Sequence, residues 1–167
     1  AELVDAEHRW LPQLAPRLPL PIPAPIRVGH PTGTYPWRWS IVPWLPGRSA
    51  AETPPAEPAA AAALLGQFVF ALHQSAPPDA PVNPYRGGPL ADRHAITAER
   101  IEKLDPSFDR GSIRRRWDDL VDTSPWEGPK QWIHGDLHPG NIVVDGGRIT
   151  AVLDFGDLTA GDPATDL

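Results

Sequence analysis

Residues 132–167 read WIHGDLHPGNIVVDGGRITAVLDFGDLTAGDPATDL, and this stretch decides the fold. Short apolar runs alternate with clusters of Gly, Pro, Asp and Asn, which is typical of strands joined by loops and tight turns. The Asp-Gly-Gly-Arg turn between two apolar runs has the chemistry of a β-hairpin. The sequence therefore predicts a strand over residues 131–133, a polar loop over 134–141 and a second strand over 142–144. A tight turn over 145–148 and a returning strand over 149–153 complete the hairpin.

Three polar side chains flank this predicted hairpin. Asp136 and Asn141 belong to the loop before it, and Asp154 follows its last strand. Because a hairpin returns the chain to its starting point, we expect the three side chains to lie side by side. Phosphoryl transfer needs oxygen ligands for Mg²⁺ and a carboxylate that orients the attacking hydroxyl. Asn141 and Asp154 can hold the metal ion, and Asp136 can orient a hydroxyl group and accept its proton.

The spacing of these residues matches the catalytic segment of protein kinases. Those enzymes have an Asp, four intervening residues, an Asn and, further on, an Asp-Phe-Gly tripeptide. Asp136 and Asn141 have the same separation, and residues 154–156 supply the tripeptide. Gly135 stands where protein kinases have an Arg. The whole arrangement favours phosphate-transfer chemistry over simple turn formation by these side chains.

Over residues 132–167 the sequence closely resembles the signature of the aminoglycoside phosphotransferase family, whose relatives include choline and homoserine kinases. The resemblance is looser over residues 7–29 (EHRWLPQLAPRLPLPIPAPIRVG) and 40–47 (SIVPWLPG), which are similar to parts of the family's N-lobe and hinge. It implies an α/β (α+β), protein-kinase-like fold, with a truncated N-lobe remnant and a mostly helical C-lobe that contains a catalytic β-hairpin. The expected boundaries are 1–42 for the partial N-lobe, 43–47 for the hinge and 48–167 for the C-lobe, with the catalytic loop at 134–141 and the metal-binding segment at 154–157.

The resemblance also implies a reaction. The γ-phosphate of ATP (or GTP) would pass to a hydroxyl group of a small molecule, with Mg²⁺ as cofactor. Asp136 matches the catalytic Asp, Asn141 and Asp154 match the magnesium ligands, and His134 matches a residue that braces the loop. Two further acidic positions are expected to support local structure: Asp162 and Asp166.

Other positions match nucleotide-binding residues of the family. Glu7 corresponds to the helix Glu that pairs with a phosphate-binding Lys, and Glu2 is the alternative if the register differs. Three residues fall where the adenine would meet the hinge: Val42, Trp44 and Leu45.

The sequence also departs from the family. It has neither a glycine-rich phosphate loop nor the strand Lys, which is expected just upstream of Ala1. The helices that follow Asp166-Leu167 in the family are absent too. We therefore expect a fragment that is nearly inactive alone. The alternative is a non-catalytic kinase-like binding module or an inactive fragment of such a kinase.

Composition narrows the range of partners. The formal net charge is −6 and no strong basic patch is present, so nucleic acid is not an expected partner. The sequence contains no Cys, which excludes disulfides and thiolate metal sites and fits a cytoplasmic protein. No apolar run reaches the roughly 18 residues of a membrane span, and the N-terminus lacks a signal-peptide pattern, so no membrane association is expected.

Apolar residues at 3- and 4-residue spacing predict helices over residues 1–15, 58–75, 92–104 and after Ser112. Pro12 should kink or end the first helix, and Asp92 is expected to cap the third. Alternating aromatic residues predict a hairpin over 27–42, and we expect Trp37 and Trp39 of this hairpin to belong to the core.

Overall fold

The structure is a computed structural model that describes residues 2–167, and of Glu2 the backbone only. The described chain forms four α-helices and seven short strands. The helices are α1 (Glu2–Leu14), α2 (Pro58–Leu72), α3 (His94–Glu102) and α4 (Arg110–Val121). The strands are β1 (Arg27–Gly29), β2 (Trp39–Ile41), β3 (Arg48–Ser49), β4 (Gln131–Ile133), β5 (Ile142–Asp145), β6 (Arg148–Val152) and β7 (Thr159–Gly161).

The strands form three small antiparallel sheets. One pairs β1 with β2, one has the order β3-β5-β6, and one pairs β4 with β7. The β5-β6 hairpin predicted from the sequence is present, and its turn places Gly146 and Gly147 at φ values of 54° and 77°. Two consecutive positive φ angles are what a tight hairpin turn requires, and Gly adopts them without strain.

The core lies where helices α1 and α2 meet the strands of the catalytic segment. Its fully buried side chains come from segments far apart in sequence: Leu11, Phe68, Leu72, Val152 and Phe155. The α2 stripe predicted from the sequence is confirmed for its last turns, since Phe68, Val69 and Leu72 are buried. The mixture of helices with small antiparallel sheets confirms the α+β fold class.

The sequence predicts that Pro12 kinks or ends the first helix, and helix α1 ends two residues after it, at Leu14. The proline lies in the last turn, where it removes one backbone hydrogen bond and little helix remains to be distorted. Trp10, Leu11 and Leu14 are buried on one face, as the spacing predicts.

Three local expectations are wrong. Helix α3 begins at His94 with Arg93 as N-cap, and Asp92 lies in a preceding short 3₁₀ turn, Leu90–Arg93, so it does not cap the helix.

Trp37 and Trp39 are exposed and do not belong to the core. Trp39 pairs directly with Gly29 across the hairpin, and its indole occupies the space that a Gly29 side chain would need.

None of the helices in residues 2–167 combines the length and the hydrophobicity that a transmembrane segment requires.

Replacing Leu11 by Ala should lower the free energy of unfolding by about 2–5 kcal/mol, because it leaves a cavity between α1 and the catalytic segment. Leu3, exposed on the same helix, provides the matched control, and Leu3→Ala should change stability by about 0.5 kcal/mol or less. Urea denaturation measures both. Equal effects would show that α1 does not pack as described.

Candidate active site

The loop that carries Asp136 is anchored at its start by a buried carboxylate. The backbone N–H groups of His134 and Gly135 donate to Oδ2 and Oδ1 of Asp166 at 2.7 and 2.8 Å. Nε2 of His73, at the end of α2, lies 3.1 Å from the same Oδ2. Asp166 is thus hydrogen-bonded on both oxygens while its side chain is fully buried, so the loop cannot shift without breaking several bonds.

Gly135 has a backbone conformation that explains its place in the loop. Its φ is +84°, and an added Cβ would lie 2.6 Å from the carbonyl oxygen of Asp157. Any larger residue would therefore be strained and would collide with the backbone of the metal-binding segment. The Arg that protein kinases have before the loop Asp cannot occupy this position here.

The imidazole of His134 joins the loop to the end of strand β6. Nε2 lies 2.8 Å from the carbonyl oxygen of Leu153, and Nδ1 accepts the backbone N–H of Asp136 at 3.3 Å. A neutral ring meets both requirements with its proton on Nε2. The ring packs against Phe155 with 4.6 Å between centroids. Burial lowers the pKa of His134, and the Leu153 carbonyl and nearby carboxylates only partly oppose that shift.

Asp136, Asn141 and Asp154 converge, as the hairpin predicts. Nδ2 of Asn141 donates to the backbone oxygen of Asp136 at 3.0 Å. The backbone oxygen of Asn141 in turn accepts the N–H of Leu153 at 2.8 Å, which places Asp154 next to Asn141. Asp154 adopts a left-handed conformation, with φ of 58°, and its Oδ1 accepts the N–H of Gly156 at 3.3 Å. This conformation turns the chain sharply at the carboxylate.

The donor set fits a magnesium ion shared with a phosphate. The NH₂ group of Asn141 is engaged with the backbone oxygen of Asp136, which leaves its amide oxygen as the group that can bind a metal ion, and the backbone of Asn141 lies next to that of the residue before Asp154. Within residues 2–167, no group of three or more His, Cys, Asp or Glu side chains is arranged to hold a metal ion. Mg²⁺ commonly binds through one or two protein oxygens together with substrate phosphates and water, which is what this set can offer.

Glu7 lies on the side of α1 that faces the metal-binding segment. Burial raises the pKa of its carboxyl, and the neighbouring charge of Asp154 raises it further. The structure therefore brings Glu7 close to Asp154. The expected pairing of Glu7 with a phosphate-binding Lys stays a prediction. The side chain of Glu2, the alternative, lies outside the described part of the structure.

The three positions that are expected to contact the adenine line one cavity of about 310 Å³. Val42, Trp44 and Leu45 share it with Gly140 of the catalytic loop and Leu153, each of which directly precedes a candidate metal ligand. Trp44 is strongly exposed, at 88% of its full accessible area, so its indole is free to pack on a ligand.

Sequence reasoning missed Arg86, which contacts the candidate catalytic carboxylate directly. Its Nη2 donates to Oδ1 of Asp136 and its Nε to Oδ2 of Asp157, both at 2.8 Å. Nδ2 of Asn83 donates to the other oxygen of Asp157, also at 2.8 Å. Arg86 precedes Asp136 by 50 residues in a Pro/Gly/Asn loop, and no local spacing in the sequence signals the contact.

A second cavity, of about 340 Å³, opens beside Arg86. Residues 84–90 form one wall, and helices α3 and α4 contribute Thr97 and Trp117 to the other. Charged groups of both signs line it, including Asp92 and Arg93. Arg86 thus borders this cavity on one side and contacts Asp136 on the other.

Asp162 and Asp166 differ in their surroundings. Oδ1 of Asp162 accepts the N–H of Ala164 at 2.9 Å and so caps the short 3₁₀ turn Pro163–Asp166. Asp162 is partly exposed, whereas Asp166 is buried beneath the catalytic loop. The two acidic positions therefore contact different parts of the site.

Comparison with known proteins gives a consistent result. The profile of the phosphotransferase enzyme family matches residues 1–167. The structure of APH(2″)-IIIa with GDP and kanamycin superposes with a TM-score of 0.68 at 22% identity, over 99% of this chain and 60% of that chain. The macrolide 2′-phosphotransferase MphH of Brachybacterium faecium, an apoenzyme, gives 0.62 at 26% identity over 99% and 57%.

A curated protein is similar over a shorter stretch. The uncharacterized protein YcbJ of Bacillus subtilis is 45% identical over 57 residues, which is 33% of this chain and 19% of that protein. The chain therefore spans about 60% of the length of the solved proteins that it matches, and a smaller part of this relative.

Replacing Asp166 by Ala should lower the free energy of unfolding by about 2–5 kcal/mol, because two buried backbone N–H groups lose their acceptor. Asp162→Ala is the matched control and should cost about 1 kcal/mol, as expected for a cap near the surface. Urea denaturation at neutral pH measures both. A smaller loss for Asp166→Ala than for Asp162→Ala would contradict the anchoring role.

The stability should depend on pH through His134. Its pKa is lower in the folded than in the unfolded state, so the unfolded chain binds the proton more readily. The contribution of the buried His134 ring to the free energy of unfolding is therefore complete above the ordinary His pKa of about 6.5, and it is lost as the pH falls below that value. His134→Gln should flatten the dependence between pH 7.5 and 5.5, whereas substitution of exposed His30 should not. An unchanged slope in His134→Gln would refute this.

Proposed function

Because the chain belongs to the phosphotransferase enzyme family, we propose that it carries the catalytic loop, metal ligands and hinge of a small-molecule kinase. That enzyme moves the γ-phosphate of ATP or GTP to a hydroxyl group of its acceptor. The observation that carries the proposal is the pair of hydrogen bonds that attach Asn141 to Asp136 and to Leu153, the residue before Asp154, next to the hinge cavity. Activity, substrates and partners here are those of the complete protein, of which the chain is a part.

The nucleotide is proposed to bind in the hinge cavity. Residues 1–42 are then part of the N-lobe, 43–47 the hinge and 48–167 the C-lobe. The base would contact Val42, Trp44 and Leu45, and the cavity wall at Gly140 and Leu153 leads to the metal ligands. Phosphates that extend along this wall reach Asn141 and Asp154, with Glu7 on the opposite side.

Each residue of the site has a separate task in this proposal. Mg²⁺, held by Asn141 and Asp154, would neutralise charge on the phosphate groups when bound. Asp136 accepts a hydrogen bond from the acceptor hydroxyl, aligns its oxygen with the γ-phosphorus and takes the proton as the new O–P bond forms. The bond between the γ-phosphorus and the β–γ bridging oxygen breaks in the same step, and the nucleoside diphosphate leaves. His134 maintains the distance between the loop and the metal segment. Positioning of this kind supplies most of the catalysis in phosphoryl transfer.

The acceptor is proposed to enter from the side of the 340 Å³ cavity, because Arg86 connects that cavity with Asp136. Its mixed charges and the Trp117 ring suit a polar molecule that bears hydroxyl groups. One related structure is a complex with GDP and kanamycin, and it supports the proposal that the acceptor of the complete protein is a hydroxyl-bearing small molecule. A nucleotide donor also fits the proposed cytoplasmic location.

Replacing Asp136 by Ala in the complete protein should lower phosphate transfer by at least about 10²-fold while nucleotide binding persists, because the base is lost but the metal ligands remain. Transfer is detected by screening nucleotide consumption against hydroxyl-bearing metabolites and antibiotics. Asp145→Ala, an exposed acid in the turn of the same hairpin, is the matched control. Full turnover in Asp136→Ala would refute the assigned role.

Asn141→Ala and Asp154→Ala should behave differently from Asp136→Ala. Each should weaken the Mg²⁺-dependent part of nucleotide binding, measured by calorimetry with and without a chelator. Tight nucleotide binding that needs neither side chain would identify a binding module with another ligand geometry, and the kinase proposal would then be wrong.

A further inference from the structure

The guanidinium of Arg86 bridges two acidic side chains that belong to different segments. It donates from Nη2 to Oδ1 of Asp136 in the catalytic loop and from Nε to Oδ2 of Asp157 in the metal-binding segment, both at 2.8 Å. Two charge-assisted bonds from one planar group fix the orientation of both carboxylates. The second oxygen of Asp136 lies 3.5 Å from Nε2 of the half-exposed His138, which is too long for a strong hydrogen bond. Oδ2 is therefore the oxygen available to a hydroxyl group.

The segment that carries Arg86 is attached to a neighbouring strand at both of its ends. The oxygen of Pro81 accepts the N–H of Ala160, and that of Gly87 accepts the N–H of Asp162, both at 2.9 Å. These bonds attach both ends of residues 81–87 to strand β7 and the residue after it. Gly87, at φ +68°, packs so closely that an added Cβ would lie 2.9 Å from Cα of Gly161.

A buried hydroxyl fastens the middle of the same segment. Oγ1 of Thr159, on β7, accepts the N–H of Asn83 at 2.8 Å and donates to the oxygen of Pro81 at 2.9 Å. Thr159 is fully buried. Ordering a long side chain costs conformational entropy, and in most surface ion pairs this cost cancels the electrostatic gain. The cost is smaller for Arg86 because the segment that carries it is already fixed.

The position before Asp136 cannot supply this cation. Gly135 is excluded from carrying a side chain by its φ of +84° and by the backbone oxygen of Asp157 at 2.6 Å from its virtual Cβ. The cation that contacts Asp136 here is Arg86, which lies 50 residues earlier in the sequence.

We propose that Arg86 is a positioning residue that fixes the Asp136 carboxylate through Oδ1, so that Oδ2 faces the acceptor hydroxyl. This inference rests on the proposed function. It assigns Arg86 no contact with the transferred phosphate and no part in holding the metal. Loss of Arg86 releases rotation of the carboxylate and should slow the chemical step more than it weakens nucleotide binding.

The test compares Arg86→Ala, Arg86→Lys and the unchanged complete protein in steady-state transfer. Arg86→Ala should lower kcat about 10- to 100-fold, because small displacements of a reacting group have effects of that size. The KM for nucleotide should change by no more than about 2-fold, because Arg86 contacts neither metal ligand. Arg86→Lys keeps one charged donor and should recover part of the loss. Arg116→Ala, an exposed arginine on α4, is the matched control and should leave kcat unchanged.

Chemical rescue separates positioning from mere structural support. Added guanidinium, far below denaturing concentrations, should restore part of kcat in Arg86→Ala but none in Asp136→Ala. Wild-type kcat in Arg86→Ala overturns the inference. A loss of kcat that matches the unfolded fraction in thermal denaturation, with no rescue, also overturns it. Arg86→Gln is measured in parallel and decides the question by the same criteria if Arg86→Ala does not fold.

Asp136→Ala tells the two failures apart. If Asp136→Ala retains turnover, the proposed function fails. If Asp136→Ala is inactive while Arg86→Ala and Arg86→Gln are as active as the unchanged protein, the proposed function stands and only the role of Arg86 is wrong.

Discussion

The buried imidazole of His134 sets the distance between the two acidic residues of the site. One ring nitrogen bonds to the backbone of Asp136 and the other to the backbone carbonyl just before Asp154. Both bonds run to the main chain, so the geometry does not depend on flexible side chains. Desolvation keeps the ring neutral, and a neutral ring is what allows one nitrogen to accept while the other donates.

Residues that are distant in sequence restrain the rest of the catalytic loop around this ring. Asp166 accepts hydrogen bonds from the backbone at the start of the loop, and Arg86 donates one to the carboxylate of Asp136. His73 connects the anchor to the end of α2, while the segment before Arg86 is attached to β7. Rigid attachment of this kind is what phosphoryl transfer demands, since alignment rather than covalent chemistry lowers the barrier.

The sequence predicted the parts of the site that are close in the chain. Two runs of apolar residues and a Gly-Gly turn specify the hairpin, and the hairpin brings Asn141 beside Asp154. Contacts between distant segments were not predictable, because nothing in a proline-rich loop indicates that Arg86 will reach Asp136. The same limit applies to Trp37 and Trp39, whose aromatic alternation suggested burial although the structure exposes both.

Paramagnetic NMR with Mn²⁺ in place of Mg²⁺ tests the central claim most directly, because it reports which side chains surround the ion. In the complete protein with a non-hydrolysable analogue of ATP or GTP, the ion should broaden the side-chain signals of Asn141 and Asp154 most strongly and that of Asp136 next. Asp154→Asn should weaken this broadening, and Asp145→Asn should not. Broadening centred elsewhere, with these three side chains unaffected, would contradict the account.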